Sequence, residues 1–156
     1  MSARELCDSH IVKMVLESAQ LLSTYLHINN RVIDDIVLPK PTHMKHPCQV
    51  WLNESPANTR WLCIHFIALL DEYTFRYNKA HSYEKYRNIF SFIFIKGNIN
   101  HTPFKQCMPE EYKDKDSVKA YKSYYDSKQH TMKRKMIWTK REIPNWFNFN
   151  KELVLS

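Results

Sequence analysis

The sequence predicts an all-α protein, a compact single domain that covers residues 1–156 and contains about three main helices. Three segments carry apolar residues at helical spacing, three or four positions apart, and an aromatic segment closes the chain. Hydrophobic residues make up 44% of the 156 residues, more than a disordered chain contains and enough for one sizeable core. No repeat, linker or domain boundary is evident, so we expect the helices to share that core.

The first helix is predicted from about Ala3 to His27. Asn29 and Asn30 are its predicted C-terminal caps, because asparagine accepts the left-handed backbone conformation and the whole chain contains a single glycine, Gly97. The apolar face of this helix consists of Ile11, Val15, Ala19, Leu22 and Leu26.

A loop is predicted next, in the segment DDIVLPKPTHMKHPC, because three prolines interrupt it. The second helix is predicted from about Ser55 to Asn78, with the Ser55 hydroxyl as N-cap and Pro56 in the first helical position. One face of this helix consists of Trp61, Leu62, His65, Phe66, Leu69 and Tyr73.

Two further segments complete the predicted secondary structure. The segment YRNIFSFIFI can form either a short helix or a buried strand, since periodicity does not separate the two. A last helix is predicted to start near Asp116, and one face of it consists of Val118, Tyr121, Tyr125 and Met132. The aromatic segment that closes the chain is IWTKREIPNWFNF.

The chain is basic, with 23 Lys and Arg against 16 Asp and Glu and a net charge of +7. This excess favours a polyanionic partner, nucleic acid first and an anionic membrane second, and the alternative is an ordinary soluble basic protein. No run approaches the length of a membrane span, and the start MSARELCD lacks the layout of a signal peptide. Four widely spaced cysteines indicate reduced thiols. We expect a monomer in the cytoplasm, or a viral or phage protein in the host cytoplasm, without a membrane partner.

A line of polar side chains interrupts the apolar first helix. This polar stripe consists of His10, Lys13, Glu17, Gln20 and Thr24, at steps of three and four residues. A helix would align them along one face with apolar residues on both flanks, which favours a cleft over bulk water. Lys13 is one turn from Glu17 and can pair with its carboxylate. The alternative is an ordinary exposed strip with one Lys–Glu ion pair.

A resemblance to the T4-type pyrimidine-dimer DNA glycosylase/AP lyase (endonuclease V) family is carried by the segment ELCDSHIVKMVLESAQ. In that family a histidine on the first helix is followed seven residues later by the essential glutamate, and His10 and Glu17 match that pair. The family's second long helix resembles HPCQVWLNESPANTRWLCIHFIALLDEYTFRY, in which Glu72 and Arg76 form a matching E-x-x-x-R ending. Its third helix and aromatic C-terminal segment resemble MPEEYKDKDSVKAYKSYYDSKQ and PNWF.

The resemblance implies a DNA glycosylase with AP-lyase activity, which excises a damaged pyrimidine through a Schiff base and then cleaves the strand. The implied partner is double-stranded DNA that contains a damaged base, and no cofactor is implied. The family's nucleophile is the α-amine exposed when the initiator Met is removed, here that of Ser2. With a pKa near about 8, much of an α-amine is neutral near neutral pH. Glu17 would stabilise the charge on the sugar and assist the proton transfers.

The chain departs from the family in two places. Leu16 stands where the family has an arginine beside the glutamate, and the arm before the first helix is shorter. If the whole segment up to Glu17 were one helix, Ser2 would lie about 22 Å from that carboxylate. Ser2 therefore needs a short arm that leaves the helix before Asp8, itself a good N-cap. Lys13 is the second candidate nucleophile, because desolvation among its apolar neighbours would activate its amine.

A basic segment follows the start of the last predicted helix. From Lys128 to Arg141 the chain carries six Lys or Arg and no acid, with aromatic residues interleaved or following. Cations suit phosphates, and aromatics suit bases or an unstacked site, as a DNA-binding rim requires. The alternative is a solvated helix end whose aromatics pack on the core. The predicted DNA-binding residues are Lys128, Lys133, Arg134, Lys135, Trp138, Lys140, Arg141 and Trp146.

A metal offers a different interpretation of the sequence. A structural zinc ion would bridge the first helix to the proline-rich loop through Cys7, His10, His43, His46 and Cys48. These spacings match no standard zinc module, so the sequence predicts no metal site, and Cys63 and Cys107 are expected to be core residues or bystanders. Three functions stay open: the glycosylase, a non-catalytic nucleic-acid-binding protein on the same fold, and a zinc-bridged helical interaction domain.

Overall fold

Helices account for all the regular structure in the part of the chain that is described. The computed structural model describes residues 2–31, 36–93 and 100–148. These ranges contain helices and no strand, which confirms the all-α prediction. The α-helices are α1 (Asp8–Ile28), α2 (Pro47–Glu54), α3 (Pro56–Tyr77), α4 (Arg87–Ser91) and α5 (Ser117–Ser127). Single 3-10 turns occur at Ala3–Glu5, Ser82–Tyr86, Glu110–Tyr112 and Lys128–His130.

The first long helix, α1, begins five residues later than its periodicity predicts. Its N-cap position is Cys7, and the preceding residues form a separate 3-10 turn, because the extended backbone of Leu6 and Cys7 breaks the helical path. The predicted C-terminal caps are confirmed, since Asn29 caps α1 and Asn30 has a φ of 51°. The chain before Asp8 is therefore an arm that leaves the axis of α1, as the resemblance requires.

The predicted loop ends earlier than expected, because its last two residues already belong to α2. Pro47 occupies the first turn of this helix, and Nδ1 of His46 accepts a hydrogen bond from the Cys48 amide at 3.2 Å. A single residue, Ser55, separates α2 from α3. The Ser55 hydroxyl accepts from the Ala57 amide at 3.2 Å and Pro56 follows it, so the predicted start of the second long helix is confirmed.

The two long helices run antiparallel. Asp8 at the start of α1 pairs with Arg76 at the end of α3, and Asn29 at the end of α1 donates to the side chain of Asn53 in α2. Between these ends, the apolar faces of α1 and α3 meet in one cluster of buried side chains. The predicted face of α1 lies in that core, with Ile11, Val15, Ala19 and Leu22 fully buried.

The second half of the chain closes this core. The segment YRNIFSFIFI begins as a 3-10 turn and α4, which supports the helical alternative for its described residues; residues 94–99 lie outside the described ranges. The start of α5 near Asp116 is confirmed, and the Asp116 carboxylate caps the helix by accepting from the Val118 amide at 2.8 Å. Met132 lies beyond the end of α5, which corrects its predicted place on that helix. Met136, Trp138 and Phe147 are buried against the helices.

Candidate active face and nucleic-acid interface

The polar stripe of α1 is accessible at Lys13, Glu17 and Gln20, whereas Thr24, at its C-terminal end, is fully buried. His10, Lys13 and Glu17 follow one another at one-turn intervals, and the Lys13 Nζ lies 3.2 Å from the Glu17 Oε1. The side chain of Lys13 is 60% exposed and that of Glu17 is 45% exposed. An amine and a carboxylate are therefore in contact where a ligand can reach both. The Lys13 side chain is too exposed to be desolvated by its apolar neighbours. The prediction that these neighbours activate its amine is therefore wrong.

His10 lies at the N-terminal end of the stripe and is half-buried. The Tyr125 hydroxyl accepts from the Cys7 amide at 2.9 Å and lies 2.7 Å from the His10 Nδ1. The amide hydrogen takes one lone pair of the hydroxyl, and the hydroxyl hydrogen can be donated to Nδ1 when that nitrogen is unprotonated. Burial lowers the pKa of His10 to about 4, and the charges of Lys128 and Lys13 add to the effect. His10 is therefore neutral near neutral pH.

The end of α5 forms the second side of this face. Lys128 lies half-buried with its Nζ 4.2 Å from the centre of the Tyr124 ring, a cation–π contact. The ring of Tyr125, one position further, lies 4.8 Å from the ring of His10. Lys128 thus stands beside the stripe, as its effect on His10 also indicates. Two cations, Lys13 and Lys128, border one carboxylate and one neutral imidazole.

The N-terminal arm places Ser2 apart from the stripe. The nitrogen of Ser2 donates to the Glu5 Oε2 at 2.6 Å, across one 3-10 turn. Ser2 also lines an open depression of about 410 Å³, and no residue of α1 is among its lining residues in the described part of the chain. The depression is lined by Ser2, Ala3, Arg4, Ala68, Asp71, Glu72, Phe75 and Arg141. Of the two candidate nucleophiles, Lys13 and not Ser2 lies next to Glu17.

Two tryptophans of the aromatic C-terminal segment hold the arm in place. The Trp138 Nε1 donates to the Glu5 carbonyl at 3.0 Å, and the Trp146 Nε1 donates to the Glu5 Oε1 at 2.7 Å. Trp138 is 5% exposed and packs against Phe147. A buried indole has no free face for a base, so the predicted DNA contact of Trp138 does not fit this placement. The alternative, aromatics that pack on the core, fits both tryptophans.

A buried charge network ties the arm, α1, α3 and the C-terminal segment together. The Arg76 guanidinium bonds the Asp8 Oδ1 at 2.9 Å, the Glu72 Oε1 at 2.7 Å and the Arg4 carbonyl at 3.1 Å. Arg141 adds two bonds to Glu72, at 3.0 and 2.9 Å. Burial acts to raise the pKa of Glu72, but the hydrogen bonds from Arg141 and Arg76 outweigh it and lower that pKa. The E-x-x-x-R ending is therefore an architectural element in this structure.

The predicted DNA-binding cations divide into two sets. Lys133, Arg134 and Lys135 are exposed, on a segment without helical structure that follows Lys128. Lys140 is committed to the fold, since its Nζ bonds the Phe75 carbonyl at 2.8 Å and the Asn78 Oδ1 at 2.6 Å. Arg141 is likewise held by Glu72. The exposed set lies at the surface, where phosphates can reach it.

The cysteines and histidines group differently from the sequence-based zinc hypothesis. Cys7 and His10 contact each other, with 3.3 Å between Sγ and Nδ1, and Tyr125 joins them. His46 and Cys48 are grouped with Cys107 instead, 59 residues along the chain from Cys48, with the two sulfurs 3.5 Å apart. Burial and the Cys107 thiol raise the pKa of Cys48 to about 12, and the charge of Glu17 adds to the effect. Cys107, predicted to be a core residue or bystander, is half-buried and lies beside Cys48.

Comparison with known proteins gives no relative: no family model, no curated protein and no solved structure matches the chain. None of the described helices combines the length and the apolar character that a membrane-spanning segment requires. A functional assignment therefore rests on the chemistry of the polar stripe, on the exposed basic segment and on the resemblance in the sequence.

Proposed function

We propose that this protein binds duplex DNA and acts on a damaged nucleotide as a DNA glycosylase with AP-lyase activity, with Glu17 as its essential carboxylate. The observation that carries the proposal is the contact of 3.2 Å between the Lys13 amine and the Glu17 carboxylate on an accessible face, beside the neutral imidazole of His10. Exposed ion pairs of this kind contribute little to stability. The stability of the fold therefore does not explain why this amine and this carboxylate lie together.

The chemistry needs an amine, a carboxylate and a site from which substrate excludes water. Glu17 accepts a proton from Lys13 when bound DNA desolvates the pair, and the neutral amine attacks C1′ of the damaged nucleotide. The glycosidic bond breaks, and the Glu17 carboxyl passes its proton to the leaving base. The C1′–O4′ bond then breaks, one amine proton moves to O4′, and a protonated Schiff base remains on the opened sugar. Glu17 stabilises the positive charge that develops and assists removal of the 2′ proton. The 3′ C–O bond then breaks and the strand is cleaved.

The proposed DNA contacts are sequence-independent. Lys128 borders the stripe, and the exposed cations Lys133, Arg134 and Lys135 continue from it along the chain. Lysine and arginine in such an arrangement neutralise phosphates and position the duplex without reading its sequence. We assign Trp138 and Trp146 to the support of the arm, because both donate to Glu5. Lys140 and Arg141 are assigned to the end of α3, where they bond Phe75 and Glu72.

The second candidate function is a non-catalytic nucleic-acid-binding protein. Two observations favour it: the Ser2 nitrogen is bound by Glu5 rather than by Glu17, and the Lys13 side chain is 60% exposed. An amine in water stays mostly protonated and is a poor nucleophile. On this alternative, the basic segment binds DNA and the Lys13–Glu17 pair is an ordinary surface pair.

Borohydride reduction separates the two functions, because it converts a Schiff base into a stable bond between protein and DNA. The test uses duplexes with an abasic site or a cyclobutane dimer, and mass spectrometry locates the attachment. We expect an adduct at Lys13, its loss in Lys13→Gln, and its retention after selective acetylation of the N-terminal amine. Attachment at Ser2 would restore the nucleophile that the resemblance implies and overturn the role of Lys13. DNA binding without any adduct would favour the non-catalytic function.

A further inference from the structure

A cluster of one imidazole and two thiols lies where α2 begins. His46 and Cys48 stand on either side of Pro47, at the N-terminal end of that helix, and Cys107 comes from the segment that precedes the 3-10 turn Glu110–Tyr112. One ligand atom of each residue lies within 4.8 Å of the others. His46 is exposed, whereas Cys48 and Cys107 are half-buried. The three ligand atoms are therefore already grouped, and the exposed His46 makes the cluster accessible from solvent.

From this geometry we propose that His46, Cys48 and Cys107 bind one Zn²⁺ ion, with water in the fourth position. Two thiolates at about 2.3 Å from a tetrahedral zinc ion lie about 3.8 Å from each other. The Cys48 and Cys107 sulfurs are 3.5 Å apart, close to that separation and far beyond the bond of about 2.05 Å in a disulfide. Two soft sulfurs and a borderline nitrogen select zinc over the hard cations Mg²⁺ and Ca²⁺.

His46 has a ring nitrogen, Nδ1, whose lone pair a metal ion could bind. Its Nδ1 accepts the Cys48 amide hydrogen at 3.2 Å, so this nitrogen carries the lone pair in that arrangement and the other ring nitrogen carries the proton. A metal needs the same lone pair. Zinc binding at Nδ1 would exchange the capping hydrogen bond of α2 for a metal bond.

The site would join two segments that are far apart in the sequence but already in contact. Near the cluster, the Trp51 indole donates to the Thr102 carbonyl at 3.3 Å, and Asn58 bonds the Thr102 amide at 2.8 Å. Lys105 pairs with Glu54 at 2.7 Å. These contacts hold the Cys107 segment against α2 and α3 without a metal. Loss of one ligand is therefore expected to remove the ion while the fold persists, which makes the proposal testable by substitution.

The test is a titration of the reduced full-length protein with Zn²⁺, and with Co²⁺ as the spectroscopic probe. We expect one equivalent per chain and a thiolate-to-cobalt charge-transfer band. Cys107→Ser and Cys48→Ser should each weaken Zn²⁺ binding at least about tenfold, with unchanged helical circular dichroism. The matched controls are Cys7→Ser and His43→Asn, which remove candidate ligands that lie outside the cluster; asparagine also suits the φ of 50° at position 43.

Three outcomes would overturn the zinc site. The first is absence of stoichiometric binding by the reduced wild-type protein. The second is equal binding by Cys107→Ser, and the third is loss of binding in Cys7→Ser but not in Cys48→Ser. Thiol counting and mass spectrometry of protein purified without reductant provide a further check, because a Cys48–Cys107 disulfide that resists mild reduction would assign these sulfurs to a cross-link. The inference does not rest on DNA cleavage, so failure of the proposed glycosylase activity leaves this test unchanged.

Discussion

Two regions of the molecule pair the same kinds of charged groups and use them in opposite ways. In the buried charge network, the Arg76 side chain is 0% exposed and bonds two carboxylates and a carbonyl. In the polar stripe, Lys13 and Glu17 make a single contact at 3.2 Å and both remain accessible. The network connects four parts of the chain, whereas the stripe pair connects two turns of one helix.

The difference teaches which charges belong to the fold and which are available for chemistry. Removing one member of a buried pair leaves an uncompensated charge away from water and is strongly destabilising. Removing one member of an exposed pair has little effect, because water screens and solvates the partner. Glu72 and Arg76 are therefore structural, and Glu17 is the carboxylate that can change partners when a ligand binds.

The largest expected effect on stability is at Arg76. Arg76→Met removes the guanidinium between Asp8 and Glu72 and leaves both carboxylates short of a partner in a buried site. We expect the free energy of unfolding to fall by about 3–5 kcal/mol, measured by urea denaturation. Arg134→Met, at an exposed position, is the matched control. A fall of less than about 1 kcal/mol at Arg76 would remove the contrast between the two regions.

The next effect concerns DNA affinity. Replacing Lys133, Arg134 and Lys135 by Ala should weaken binding to any duplex, and the slope of log K against log salt should lose about 0.9 per lost phosphate contact. A triple Ala variant at Lys113, Lys115 and Lys119 is the control for net charge. Equal losses in both triple variants would show a general effect of charge and would assign no interface to the basic segment.

A smaller effect is expected from acid on His10, at the N-terminal end of the stripe. The pKa of His10 is lowered from 6.5 to about 4, so below pH 6.5 the unfolded chain binds a proton that the folded chain resists. The free energy of unfolding should therefore fall as the pH decreases from 6.5 to about 4. Burial lowers the pKa of His65 to about 4 as well, so His10→Gln should make the fall shallower without abolishing it.

Nuclear magnetic resonance titration measures the His10 pKa directly. A pKa near 6.5 would contradict the burial of this imidazole against Tyr125. Glu72 acts in a separate window: because its pKa is lowered from 4.5, its contribution to stability is present above pH 4.5 and is lost only as the pH falls further.

The smallest expected effect is on the stability of the exposed pair itself. Lys13→Gln and Glu17→Gln should each change the free energy of unfolding by less than about 0.5 kcal/mol. Urea denaturation at neutral pH checks this, with Arg76→Met as the positive control. A loss comparable to that of Arg76→Met would make the stripe part of the fold and would weaken its assignment to catalysis.

Local signals in the sequence predicted the helices well. The start of α3 follows from Ser55 and Pro56, the start of α5 from Asp116, and the end of α1 from Asn29. The sequence does not predict α2, which begins at Pro47 within the predicted loop, because proline suits a first helical turn as well as a loop. Its N-cap is His46, which is not one of the usual N-capping residues, so the sequence carries no standard signal for the start of this helix.

Contacts between distant segments were not predictable from spacing. Cys48 and Cys107 meet only because the chain packs the segment around Thr102 against α2 and α3. The sequence predicts Trp138 to be a DNA-contacting aromatic in a basic segment, yet its indole donates to the carbonyl of Glu5. Asp8 was predicted as a helix cap and instead binds Arg76 and Thr139. In each case the partner lies more than fifty positions away in the sequence.

The role of Glu17 is tested most directly by single-turnover cleavage of a duplex with one abasic site. The Glu17→Gln variant keeps the shape of the side chain and removes its charge, and anisotropy with the same duplex measures binding. We predict that the cleavage rate falls by at least about 100-fold while affinity for the duplex stays within about threefold of wild type. Cleavage by Glu17→Gln at the wild-type rate would contradict the assignment of Glu17 as the essential carboxylate.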